Sequence, residues 1–184
     1  SQNRSFSSYM SKISGGKYQV KNIFPQYDEE TGKVTPFKLT SVTEEQAKVG
    51  NYDTQIIEDV KKEINLSNYV NDLDLNNDKT IDNVTIILQG GPYESSATGE
   101  NTPSLRCHKR LYTTDNWNGV ELNANVFNML STDTLNNKRA GVITHEYLHS
   151  LNYPDLYTSN QNDNPVGNWD IMSSDGRFMN YPLA

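Results

Sequence analysis

Residues 142 to 156 read Val-Ile-Thr-His-Glu-Tyr-Leu-His-Ser-Leu-Asn-Tyr-Pro-Asp-Leu (VITHEYLHSLNYPDL), and they hold two of the chain's three histidines. His145 and His149 are four positions apart, so on an α-helix both imidazoles share one face and can offer nitrogens to a single point. Glu146 is turned about 100° from His145, near enough to touch a metal-bound water without being a ligand. Metal-assisted hydrolysis needs that division of labour: neutral imidazoles hold zinc, zinc lowers the pKa of a water, and a carboxylate takes the proton. An ordinary polar helix could carry the same three residues, so the decision passes to the third ligand.

Downstream of His149 the sequence has no Glu and no His, only Asp155, Asp163, Asp170 and Asp175. Asp155 lies ten residues after His145, the interval at which a chain leaving a helix can turn back beneath a metal. Such a turn needs a residue that tolerates positive φ, and Asn152 stands where the helix should stop. Pro154 then forbids helix continuation and stiffens the approach. The expected zinc set is therefore His145, His149 and Asp155, with Glu146 as the catalytic carboxylate.

Composition narrows the setting. The 184 residues fit one domain, and the formal net charge of −7 argues against nucleic acid, which requires concentrated basic surface. Cys107 is the only thiol, so no internal disulfide and no thiolate-rich metal site can form. No run of about 18 apolar residues is present to span a membrane, and no charged-then-apolar leader opens the sequence, which reads as a mature or excised piece.

Working outward, Phe6, Tyr9, Met10 and Ile13 fall at helical spacing before Gly15-Gly16, and Tyr18, Val20 and Ile23 alternate as a strand would. Residues 28 to 48 read as a loop with fragmentary order. Ile56, Ile57, Val60 and Ile64 form the stripe of an amphipathic helix over 53 to 64. Val84 to Gln89, ended by Gly90-Gly91, is the best central-strand candidate. Residues 92 to 118 predict loops around one short strand, and 120 to 130 could hold another. A long helix is expected from Leu135 to Leu151, capped by Ser131, Asp133 or Thr134.

Asp74, Asn76, Asp78, Thr80 and Asp82 alternate through the loop before Val84, giving oxygens at positions 1, 3, 5, 7 and 9 of a calcium-type loop. Lys79 stands where an EF-hand has Gly and Thr85 where it has a bidentate acid, so the alternatives are a structural calcium and a solvated turn. His108 could be an extra ligand or a hydrogen-bond donor to the transition state, against the commoner structural histidine. Tyr153, Tyr157 and Tyr181 could each donate to a developing oxyanion, and nothing in the spacing selects one. Gly90-Gly91 lacks the motif of a phosphate cradle.

These residues resemble the metzincin zinc-peptidase pattern H-E-x-x-H-x-x-G-x-x-H/D in its aspartate-ending variant. More narrowly, HEYLH, Leu151-Asn-Tyr-Pro-Asp-Leu-Tyr157 and Val166-Gly-Asn-Trp-Asp-Ile-Met172 resemble the immune inhibitor A type of secreted bacterial peptidase. Asn152 stands where that family usually has Gly, and Leu148 where Gly commonly precedes the second His. The resemblance implies a mixed α/β, metzincin-like fold: a twisted mixed sheet, a backing helix, an active-site helix, and a small C-terminal part whose methionine turn carries Met172. It divides 1–184 into an upper part (1–152) and a lower part (153–184), the latter expected to be truncated. The implied function is zinc-dependent endopeptidase action on protein or peptide substrates, secreted or at the cell surface. Asp170 would orient a neighbouring backbone or histidine. The rivals are a non-catalytic calcium-binding surface or adhesion module and an inactive peptidase relative.

Overall fold

A computed structural model of the chain describes residues 5–49, 51–90, 107–138, 140–157 and 165–173. The elements run α1 (Phe6–Ile13), β1 (Tyr27–Asp28), β2 (Lys33–Val34), α2 (Glu44–Val49), α3 (Asp53–Glu63), α4 (Val70–Leu73), β3 (Thr80–Ile81), β4 (Val84–Leu88), β5 (His108–Leu111), β6 (Asn123–Ala124), β7 (Val126–Ser131), α5 (Thr132–Lys138) and α6 (Ala140–Ser150). This is a mixed α/β arrangement with small sheets. None of the described helices is long and apolar enough to cross a membrane.

The main sheet has the order β4-β7-β5, with β4 parallel and β5 antiparallel to β7. Here the structure corrects the sequence reading: β7, not Val84–Leu88, is the central described strand. The reason is visible in the burial. Every β7 residue from Phe127 to Ser131 is buried, whereas Thr85 and Ile87 of β4 face solvent. β3 and β6 extend the parallel ladder at the same register, Thr80 with Asn123 and Val84 with Phe127, a constant offset of 43.

Alternation along β7 sorts its two faces. Phe127 and Met129 join Ile56, Ile57 and Val60 of α3 and Ile86 of β4 in the larger core. Asn128 meets α6 on the other face, where it accepts a bond from Ser150 Oγ at 3.1 Å. A second core gathers Tyr9 and Met10 of α1, Leu148 of α6, and Ile171 and Met172, with Tyr153 and Leu156 packed against it. Two stretches remote in sequence thus meet behind the histidine helix.

Two further readings need correction. Tyr18 to Ile23 form no strand, because no sheet edge pairs with them. They act instead as a tether: Val20 packs on the second core, Ile23 on the first, and the Tyr18 and Tyr147 hydroxyls are 2.6 Å apart. Burial, followed by that hydrogen bond, pushes the Tyr147 phenol well above the usual tyrosine range. The expected single helix 135–151 is divided into α5 and α6 on either side of residue 139, which lies outside the described residues. α5 starts at Thr132, and Ser131 Oγ accepts from the Thr134 N–H at 3.3 Å, as a cap does.

The segment over α3 is held by one carboxylate. Asp59 Oδ2 accepts from the Thr40 and Ser41 backbone N–H groups at 2.9 and 2.8 Å and from Ser41 Oγ at 2.7 Å. Burial alone would raise its pKa, but the bonds from Ser41 and Thr40 together hold it below the usual carboxylate value. A depressed folded-state pKa stabilises above the unfolded value of about 3.9 and loses that stabilisation as pH falls through the lower folded value. Asp59→Ala should therefore cost about 2 kcal/mol in urea unfolding at pH 7, and Asp59→Asn should flatten the loss of stability below about pH 4. An unchanged acid limb in the Asn variant would refute this account.

Candidate metal centre

α6 ends in a Schellman arrangement. The Tyr153 N–H bonds the Leu148 carbonyl at 3.1 Å, the Asn152 N–H bonds the His149 carbonyl at 3.0 Å, and Asn152 takes φ 67°. Those are the six-to-one and five-to-two bonds that close a helix through a left-handed residue. Tyr153 and Leu148 also share the second core, supplying the apolar contact that accompanies such a cap. The chain therefore reverses beneath α6, and Pro154 keeps Tyr153 from continuing the helix.

That reversal delivers Asp155. Its Oδ1 lies 3.1 Å from His145 Nε2 and 3.2 Å from His149 Nε2, and the two rings stand nearly perpendicular with centroids 4.7 Å apart. Among the described residues, this is the one group of three or more His, Cys, Asp or Glu side chains that could hold a metal ion, its donor atoms within 4.8 Å of one another. His145 is buried, His149 half-buried and Asp155 exposed, so the cluster opens to solvent on the carboxylate side.

The other ring nitrogens settle what this cluster can do. His145 Nδ1 is 2.9 Å from the Ile171 carbonyl oxygen, and His149 Nδ1 is 2.8 Å from that of Tyr153. A carbonyl only accepts, so each Nδ1 carries the hydrogen and donates it. With Nδ1 so occupied, each ring has its Nε2 turned to Asp155 Oδ1. In the neutral, metal-ligating tautomer those two lone pairs and the carboxylate oxygen converge on one point, where a cation satisfies all three. Tetrahedral zinc with bonds of about 2.0 to 2.2 Å places neighbouring ligand atoms about 3.3 to 3.6 Å apart, near the 3.1 and 3.2 Å that separate Asp155 Oδ1 from the two Nε2 atoms, so the residues present fit zinc. Glu146, next to His145 on α6, is buried beside them.

The segment after residue 164 closes the site from below. Asp170 is buried, and its Oδ1 accepts the Met172 N–H at 2.6 Å. Asp170 also accepts the Ser173 N–H through its carbonyl at 3.2 Å, while the Leu156 N–H bonds the Met172 carbonyl at 2.9 Å. This turn presents the Ile171 carbonyl to His145. Met172 lies in the second core with Leu148, whereas Trp169 projects outward, 81% exposed.

Other candidates fall elsewhere. His108 Nε2 is 2.8 Å from Asp53 Oδ2, on the α3 side of the sheet, and it does not belong to the metal group. The Tyr157 ring lies roughly parallel to His145, centroids 6.2 Å apart, and is half exposed, while Tyr153 is used through its carbonyl. Tyr181 and Gly91 lie outside the described residues. Gly90 is tied through its N–H to Thr132 Oγ1 at 3.0 Å, which is a strand end and not a phosphate cradle.

The acidic loop is closed by its own bonds. Asp74 accepts the Asp78 and Lys79 N–H groups at 3.0 and 2.9 Å, and Asp78 Oδ1 accepts that of Thr80 at 2.8 Å. Bonds from Asn76 and then Thr80 hold the Asp78 pKa below its ordinary value. Asn77 and Lys79 take φ 60° and 65°, which brings the N–H groups inward. Asp82 donates its N–H to the Leu73 carbonyl at 3.0 Å. The side chains at 74, 76 and 78 thus shape the turn into β3.

Against this geometry, the model of the family described as the immune inhibitor A peptidase M6, catalytic domain, matches residues 1–179. The chain belongs to that family. No curated protein matches it. Membership in the immune inhibitor A peptidases makes the chain a peptidase, a hydrolase of protein or peptide substrates, and agrees with a metal held by His145, His149 and Asp155.

What sequence reasoning missed at this site is backbone: the Ile171 and Tyr153 carbonyls that fix both imidazoles. Carbonyls leave no mark in residue type, although Pro154 hinted that Tyr153 would leave the helix. Because Asn152 holds positive φ, Asn152→Gly should be neutral within about 0.5 kcal/mol, while Asn152→Val should cost about 1 to 2 kcal/mol in denaturant unfolding. Equal stability of the two variants would contradict the left-handed cap.

Proposed function

We propose that this chain is a zinc-dependent endopeptidase of metzincin type, with Glu146 as its general base. The observation that carries the proposal is the convergence of His145 Nε2, His149 Nε2 and Asp155 Oδ1, with both Nδ1 atoms already donating to carbonyls. When bound, zinc supplies a Lewis acid that lowers the pKa of a water and polarises a peptide carbonyl. His145, His149 and Asp155 hold it, and the Ile171 and Tyr153 carbonyls keep the imidazoles in the ligating tautomer. Glu146 takes the proton of the attacking water and returns it to the leaving amine.

The exposed Asp155 side gives substrate its access. In this reading an extended peptide crosses a cleft between an upper part, residues 1–152, and a lower part, 153–184, with Met172 in the turn beneath the metal. In the same reading the activity lies outside the cell, secreted or at the cell surface.

Glu146→Gln should retain about one zinc per chain while peptide cleavage falls roughly 10³-fold; His149→Ala and Asp155→Ala should lose the metal itself. Metal analysis combined with a casein or mixed-peptide assay reads both. Full activity in the Gln variant would defeat the mechanism. Zinc binding without any cleavage by the parent chain would instead favour an inactive relative, and calcium without zinc a non-catalytic surface module.

A further inference from the structure

Lys109 follows His108 on β5 but faces the other side of the sheet. Antiparallel register sets it opposite Asn128 of β7, on the face against which α6 packs. Its Nζ donates to the His149 carbonyl oxygen at 2.9 Å, and the side chain is half-buried. That carbonyl lies in the last turn of α6, where the helix dipole presents its negative end and a cation is favoured.

The neighbouring residue is held as well. Ser150 Oγ donates to Asn128 Oδ1 at 3.1 Å and accepts from Asn83 Nδ2 at 3.0 Å, while Asn128 Nδ2 donates to Asn83 Oδ1 at 3.2 Å. A cross-strand pair, Lys109 and Asn128, therefore grips two consecutive residues of α6: His149 through its main chain and Ser150 through its side chain. Of the two grips, only the one from Lys109 falls on a residue of the metal group.

We infer that Lys109 is a positioning residue for the metal centre, fixing the His149 backbone against the sheet so that its Nε2 meets His145 Nε2 and Asp155 Oδ1. This rests on the zinc reading above. The charge matters because an ammonium-to-carbonyl bond is stronger and shorter than a neutral one, and a ligand set loses grip when its members drift by about 0.5 Å. The helix end does not depend on Lys109, since the His149 carbonyl keeps the Asn152 N–H. Loss of the lysine should consequently fall on ligand placement more than on folding.

The test uses the whole chain and its Lys109→Met and Lys109→Arg variants, with zinc affinity read by chelator competition and thermal unfolding read without metal. Lys109→Met should bind zinc about tenfold more weakly, Lys109→Arg should recover most of that loss, and the metal-free proteins should melt within about 3 °C of one another. Unchanged zinc affinity in Lys109→Met would overturn the inference. So would a metal-free melting loss large enough to account for the weakened binding, because that would make Lys109 a general fold contact. A parent chain that takes up no zinc would sink the metal reading itself, a failure separate from these.

Discussion

The bond from the Tyr153 N–H to the Leu148 carbonyl closes α6 over a left-handed Asn152, and the candidate metal centre follows from it. One residue later the chain is committed to pass under the helix. Two residues beyond that, Asp155 meets both histidines, and on the way Tyr153 offers its carbonyl to His149. If the helix ran on by another turn, its axis would carry Asp155 past His149 at 1.5 Å per residue, and the third acceptor would never reach the other two. A single backbone conformation thus links the helix end, the orientation of one imidazole and the arrival of the carboxylate.

The second constraint is division of labour between the cores. The larger one, between α3 and the sheet, sets the platform and contains no member of the metal group. The smaller one backs the metal group directly: Leu148 lies between the two histidines in sequence, Ile171 supplies a carbonyl, and Tyr9 and Met10 of α1 complete the packing. Between the cores, β7 faces both ways, apolar toward α3 and polar at Asn128 toward α6. A buried polar face of that kind is tolerated because Asn83, Asn128 and Ser150 satisfy one another in a closed ring.

Legibility in the sequence followed the range of the interactions. Helices α1 and α3 were readable from their apolar spacing because the pattern is local. Asn152 and Pro154 announced the turn for the same reason, and elimination among the acids after His149 pointed to Asp155. Tyr18 to Ile23 has the spacing of a strand without being one, because alternation says nothing about whether an edge is available to pair with. The apolar run of β4 resembles that of a central strand, whereas β7 owes its place to neighbours on both sides and even buries an asparagine. The carbonyls of Ile171 and Tyr153, and the reach of Lys109 to His149, belong to no residue pattern at all.

The His145 to Ile171 bond spans 26 residues, and the small core joins α1 to a turn at the far end of the described chain. A growing polypeptide that has made its histidine helix still lacks the carbonyl that sets the first imidazole and half of the core behind it. A chain stopped short of residue 171 therefore carries both histidines, Asp155 and the Tyr153 carbonyl that orients His149, but lacks the Ile171 carbonyl that orients His145.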